Sequence, residues 1–143
     1  MVIVGVTGTN GKSTVARLVA EICREAGFHV GLTTTAEFQI NDESWLNTTK
    51  MTMLGRFALQ RMLRRMVRAG CEIAVVETSS EGIVQFRHNH IAYDVAVFTN
   101  LTPEHIESHG SFQAYRDAKG RLFATLMKTK KKILQLSPSG SSR

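Results

Sequence analysis

Cysteine is scarce in this chain: Cys23 and Cys71 are the only two in 143 residues, and neither has a partner ligand at close spacing. That speaks against a disulfide framework or a thiolate metal site, and two buried thiols in a reducing compartment are expected. Long apolar runs are also lacking. None approaches the ~20 residues that span a bilayer, so membrane insertion is not expected. Met1 to Val6 has neither the basic start nor the small-residue cleavage site of a secretory leader, and runs straight into a glycine motif. A cytoplasmic location is the expectation. Internal repeats are absent. Although the net charge is +6 and the pI about 9.8, aromatic and basic residues do not interleave, and no nucleic-acid motif is present, so nucleic acid is not an expected partner.

What is there suits one globular domain. The apolar fraction of 43% and charged fraction of 21% are those of a chain that buries a core. Part of the positive charge lies in Lys128, Lys130, Lys131 and Lys132. Another part is a stripe, Arg61, Arg64, Arg65 and Arg68, whose spacing puts all four on one helical face opposite Leu59, Leu63, Met66 and Val67. Such a stripe is either the solvated side of an amphipathic helix or a contact for an anionic substrate.

Strands and helices alternate. Val2 to Thr7 is a β-branched run of the buried parallel kind. Lys12 to Ala26 is a helix with Val15, Leu18, Val19, Ile22 and Ala26 on its apolar face and Gly27 as its stop. His29 to Thr35 is predicted as a strand, Phe38 to Leu46 as a hairpin turning at Asn41-Asp42, and Met53 to Ala69 as the arginine-striped helix closed by Gly70. Glu72 to Glu77 and Val95 to Thr99 complete the strands, and Ser111 is an N-cap for a helix running to about Met127. The pattern predicts an α/β fold with a mainly parallel sheet flanked by helices, in a single domain over residues 1–127. Residues 128–143, basic and then rich in serine, are expected to form a disordered tail.

Gly8-Thr9-Asn10-Gly11-Lys12-Ser13-Thr14 lies between the first strand and the first helix. Glycines there let backbone N–H groups approach phosphates, the helix N-terminus adds positive potential, and Lys12 neutralises phosphate oxygens while Ser13 can reach Mg²⁺. Counted strictly, the loop departs from Gly-x₄-Gly-Lys-Ser/Thr, because Val6 takes the first glycine's place and Gly5 is one residue too distant. Glu77 ends a buried strand, so its carboxylate emerges at the sheet edge where ligands of such folds collect, and a hard cation would suit it. The segment 99–110 follows another strand and carries Asn100, Glu104, His105, Glu107 and His109, open to metal or phosphate. Lys119 is centred on an apolar helix face made by Phe112, Tyr115, Leu122, Phe123 and Leu126. A lysine so placed either snorkels to water or has a lowered pKa and a chemical task, such as adding CO₂ to become a carbamate metal ligand.

Taken together, Gly8 to Thr14, Glu77-Thr78-Ser79-Ser80-Glu81-Gly82, Gln85-Phe86-Arg87, Thr99 to His105 and Asp117-Ala118-Lys119 resemble, in order and spacing, the central domain of the Mur ligases. Within that family the sequence most resembles the UDP-N-acetylmuramoyl-tripeptide synthetases, from Val2 to about Met127. The resemblance implies a P-loop NTPase-like domain in which Gly8, Thr9, Asn10, Gly11, Lys12, Ser13, Thr14 and Asn100 bind ATP. It also implies catalytic Lys12, Glu77, His105 and Lys119, with Mg²⁺ held by Ser13 and Glu77, and by His105 and carbamylated Lys119. Asn47, Thr48, Thr49, Ser79, Gln85 and Arg87 would grip a UDP-N-acetylmuramoyl peptide. The implied reaction is ATP-dependent ligation through an acyl phosphate, joining an amino acid to that peptide during peptidoglycan synthesis.

Glu81 departs from the histidine found in many relatives. The family's enzymes have three domains, so N-terminal uridine-binding and C-terminal amino-acid-selecting domains are expected in the full-length protein. The change of character after Met127 suggests truncation, a frameshift or a partial gene, and with it an inactive fragment. Two alternatives stand beside this reading: a cyanophycin- or folylpolyglutamate-synthetase-like ligase, and a non-catalytic nucleotide-binding fragment. Ser13 speaks against the folate enzymes, which typically have glycine after the loop lysine.

Overall fold

The computed structural model describes residues 1–102 and 111–128. His105, with Glu104, Glu107 and His109, lies outside the described residues, as does the tail from 129 to 143. Among the described residues ten elements follow in order: β1 (Val2–Thr7), α1 (Lys12–Glu25), β2 (Val30–Thr33), β3 (Glu37–Ile40), β4 (Glu43–Leu46), α2 (Arg56–Arg68), β5 (Ile73–Glu77), α3 (Ser80–Val84), β6 (Val95–Phe98) and α4 (Phe112–Lys128).

The strands form one mixed six-stranded sheet in the order β4-β3-β2-β5-β1-β6. β2, β5, β1 and β6 run parallel, while β3 and β4 add an antiparallel edge. Alternation along the strands divides two cores. Val4, Val6, Val30, Leu32 and Val75 face α1 and meet Ala16 and Ala20, whereas Ala74 and Val76 face a larger cluster containing Leu59, Met62, Leu63 and Met66 of α2 and Leu122 and Leu126 of α4. Such two-sided covering is what a parallel sheet of β-branched strands requires. Among the described residues no helix is long and apolar enough to cross a membrane.

Most elements lie where the residue pattern puts them, with four physical corrections. The second strand stops at Thr33 because Thr34 turns the chain, its hydroxyl donating to the Glu37 carbonyl and accepting the Glu37 N–H, both at 3.0 Å. The second helix starts at Arg56 rather than Met53; Met53 and Leu54 are buried in the irregular stretch ahead of it. In α1 the buried stripe is Ala16 and Ala20 flanked by Val15, Val19 and Cys23, leaving Leu18 and Ile22 exposed. The small alanines let α1 lie close on the sheet, and that rotates the larger residues outward. Likewise Met62, not Val67, completes the apolar side of α2, and Val67 is exposed. All four stripe arginines face solvent, with Arg65 stacked over Trp45 at 5.2 Å. Of the two thiols, Cys71 is buried and Cys23 is only half-buried.

Candidate active site

Three adjacent parallel strands, β5, β1 and β6, end at the same edge of the sheet. From β1 the chain enters the Gly8–Thr14 loop, from β5 it delivers Glu77, and from β6 it passes through Thr99 and Asn100. An open α/β sheet collects ligands at such an edge.

Gly8 has φ 150°, and a Cβ there would sit 1.8 Å from the Thr99 hydroxyl, so only glycine lets the two loops touch. Gly5, by contrast, is not a phosphate-loop glycine. It lies inside β1 with the Tyr93 ring 2.9 Å from where its Cβ would be. The loop is thus a shortened one that begins at Gly8. Its middle is clamped by the β6 loop. Asn100 accepts the Asn10 N–H at 3.0 Å and donates to the Asn10 carbonyl at 3.2 Å, and the Thr99 hydroxyl donates to that same carbonyl at 2.7 Å. The Thr9 N–H donates to the Asn100 carbonyl at 2.9 Å.

Beyond the clamp, Lys12, Ser13 and Thr14 form the first turn of α1, whose N–H groups have no intrahelical acceptor and point along the positive end of the helix dipole. The Lys12 ammonium donates to the Thr9 carbonyl at 2.7 Å, curling back over the loop. Ser13 donates its hydroxyl to Glu77 Oε2 at 2.8 Å. Glu77, 2% exposed, also accepts the Thr35 N–H at 2.8 Å and the Thr35 hydroxyl at 3.2 Å. Thr35 was not legible as a site residue; its only signal is the threonine run at the end of β2.

Lys119 does not snorkel. It is 3% exposed, and its ammonium donates to the Gly8 carbonyl at 2.7 Å while lying 4.3 Å from the centre of the Tyr115 ring. Burial, and secondarily the nearby Lys12 charge, pull its pKa down to about 8. Tyr115 in turn donates to the Thr9 hydroxyl at 2.8 Å. Ser111 caps α4 by accepting the Ala114 N–H at 3.1 Å, which fixes the phase that sends Tyr115 and Lys119 inward.

The second group of residues lies beside the first. Asn47 donates to the carbonyls of Thr34 and Met51 at 2.8 and 2.9 Å, and accepts from the Thr49 N–H and hydroxyl at 3.0 and 2.6 Å. Thr48 is exposed on that turn. Arg87 donates to the Met53 carbonyl, to Met51 Sδ and to Gln85. Gln85 donates to Glu81 at 3.2 Å. Ser79 spends its hydroxyl on the Gly82 N–H, capping α3, an element the periodicity did not reveal. Thus Asn47, Thr49, Gln85 and Arg87 meet around Met51 and Met53, one residue from the Thr35–Glu77 contact through Thr34. Among the described residues no group of three or more His, Cys, Asp and Glu forms a metal cluster; the oxygen pair at hand is Ser13 and Glu77.

A glycine loop between strand and helix, an acidic strand end beside it and a buried lysine beneath it meet at one edge of a parallel α/β sheet. The sequence family described as Mur ligase middle domain matches residues 6–139, and the chain belongs to it. It is similar to a UDP-N-acetylmuramoyl-L-alanyl-D-glutamate--2,6-diaminopimelate ligase of Geobacillus thermodenitrificans, 44% identical over 126 residues, covering 87% of this chain and 25% of that protein. A UDP-N-acetylmuramyl-tripeptide synthetase of Roseiflexus sp. is 40% identical over 129 residues, covering 88% and 25%. The chain spans about a quarter of the length of these relatives. A solved UDP-N-acetylmuramoyl-L-alanyl-D-glutamate--2,6-diaminopimelate ligase superposes with TM-score 0.80 at 30% identity, over 99% of this chain and 33% of that one.

Proposed function

We propose that this chain is the ATP-binding part of a cytoplasmic ligase that joins an amino acid to a UDP-N-acetylmuramoyl peptide in peptidoglycan precursor synthesis. The observation that carries it is the meeting, at one sheet edge, of the Gly8–Thr14 loop, the Ser13–Glu77 pair and the buried Lys119, in a chain of this family.

The first-turn N–H groups of α1 hold the β- and γ-phosphates, and Lys12 leaves the Thr9 carbonyl to neutralise them. Ser13 and Glu77 fit Mg²⁺: both offer hard oxygens side by side, and Thr35 orients the carboxylate without covering Ser13. When bound, the metal offsets the charge of two anions brought together. Lys119 supports a second site with His105. Its low pKa exposes a neutral amine that can take up CO₂, and on the β1 face that α4 covers, the buried Thr7 hydroxyl has no partner among the described residues and could donate to the carbamate. Asn47, Thr48, Thr49, Ser79, Gln85 and Arg87 hold the muramoyl peptide so that its carboxylate faces the γ-phosphate. Carboxylate oxygen attacks phosphorus and ADP leaves; the incoming amine then attacks the acyl carbon and phosphate leaves, its proton passing to solvent or phosphate.

Titration calorimetry tests the reading. Mg-ATP should bind the chain, and Lys12→Ala should weaken it by at least about tenfold, the loss of a charge-assisted contact. A UDP-muramoyl dipeptide should bind separately and lose affinity on Arg87→Ala. Equal nucleotide affinity in wild type and Lys12→Ala would remove the phosphate-loop assignment; dipeptide binding insensitive to Arg87 would remove the substrate assignment.

A further inference from the structure

Thr9 stands in the phosphate loop, yet every polar atom it carries is spent inside the protein. Its N–H donates to the Asn100 carbonyl at 2.9 Å, and its carbonyl accepts the Lys12 ammonium at 2.7 Å. Its hydroxyl accepts the Tyr115 hydroxyl at 2.8 Å and the Thr102 N–H at 3.0 Å, and donates to the Thr102 carbonyl at 3.5 Å. One donor and two lone pairs are all that a threonine hydroxyl has, so its inventory is full. Thr9 is 3% exposed and Tyr115 1% exposed, so water does not compete for these bonds.

Through this one oxygen, three segments far apart in sequence are joined: the loop after β1, the chain after β6, and the first turns of α4. We propose that Tyr115 is a positioning residue for nucleotide binding. It holds Thr9, and with it the loop that presents Lys12 and the first turn of α1, in register with the chain at Thr99 to Thr102. Tyr115 touches no phosphate in this arrangement; it acts through Thr9. The phenol is suited to the role because its rigid ring, seated in the α4–sheet layer, reaches the loop with only two side-chain torsions to fix. Lost at the phenol, the hydrogen bond leaves the Thr9 hydroxyl held by the backbone of Thr102 alone, with no tie to α4. The clamped loop and β6 segment then lose their anchor on α4, and the order that the phosphates need must be acquired on binding, which lowers affinity.

The proposal rests on the reading of this edge as an ATP site, and the experiment separates the two. Mg-ATP affinity is measured by calorimetry on the full chain for wild type, Tyr115→Phe, Thr9→Val, Thr9→Ser and the Tyr115→Phe/Thr9→Val double variant, each with its melting temperature. Tyr115→Phe, which keeps the ring and removes only the hydroxyl, is expected to weaken binding by about tenfold. Thr9→Val should do the same or more, Thr9→Ser should recover most of it, and the double variant should be no worse than the weaker single one. A residue serving fold stability alone would lower the melting temperature and leave the affinity of the folded chain unchanged; that result, or additive effects in the double variant, overturns the positioning role. If Tyr115→Phe does not fold, the comparison of Thr9→Ser with Thr9→Val decides: equal affinities overturn it. Failure of the wild-type chain to bind Mg-ATP overturns the nucleotide reading, and this proposal with it.

Discussion

Lys119 carries a charge into a place that water barely reaches. Its ammonium has the Gly8 carbonyl and the Tyr115 ring face as partners, no carboxylate pairs with it among the described residues, and Lys12 adds a like charge nearby. The charged form is therefore costly in the native state, and its pKa falls from 10.5 to about 8. In the unfolded chain the amine keeps its proton up to its ordinary pKa. Between pH 8 and 10.5 the unfolded state thus binds more protons, so this residue makes native stability rise with pH across that window; below pH 8 the penalty is complete. Urea unfolding of wild type and Lys119→Met at several pH values checks this. The wild-type stability should climb relative to the variant from pH 8 to 10.5, and a constant difference would show that the lysine is not depressed. The residues of the site divide sharply by how far they could be foreseen. Lys119 was visible as a charge centred in an apolar helical stripe, and Glu77 as a strand end. Thr35 and Tyr115 were not, because what matters is their partners, 42 and 106 positions away, and no local periodicity encodes such a pairing.

Elements follow local rules until packing overrides them. β1 shows both. Its β-branched alternation makes it a two-sided buried strand, with Val4 and Val6 toward α1, but Gly5 answers to a contact on the other face. The Tyr93 ring comes to 2.9 Å from the site of a Cβ, and Leu122 to 3.4 Å. Gly5→Ala should therefore overpack this layer and destabilise the chain by about 1–3 kcal/mol in urea unfolding. A second substitution, Tyr93→Leu, should make room and reduce that loss; an unchanged penalty would mean that backbone conformation, not the ring, requires glycine. The phase of α1 has the same lesson. Helical periodicity alone gives Leu18 and Ile22 as core, but the sheet selects the alanine ridge at Ala16 and Ala20, because a close-lying helix buries more strand surface behind it. α3 escaped notice for another reason: five residues with one N-cap serine are too short for a period to show.

At the scale of the whole molecule, the parallel strands bring to one edge what the chain scatters over more than a hundred positions, and in the proposed function the resulting site holds a nucleotide before it serves a ligase. Everything that grips phosphate in this reading comes from within the described residues: the α1 N-terminus, Lys12, the Ser13–Glu77 pair and the Asn100 clamp. Ligation asks for more. The amino acid must be selected, and the acyl phosphate must be shielded from water, tasks that domain closure performs in enzymes of this kind of chemistry. With a quarter of its relatives' length, this chain is expected to do the first job without the second. Binding to the native state alone raises stability by about 2.7 kcal/mol at a ligand concentration a hundred times the Kd. For a domain of this size that corresponds to a rise in melting temperature of roughly 5–10 °C. Thermal unfolding of the 143-residue chain with saturating Mg-ATP should show that rise. Mass spectrometry of the same sample, incubated with a UDP-muramoyl dipeptide and a panel of amino acids, should show no amide product. A melting temperature unmoved by Mg-ATP would refute the holder, and product formed by this chain alone would refute the division of labour.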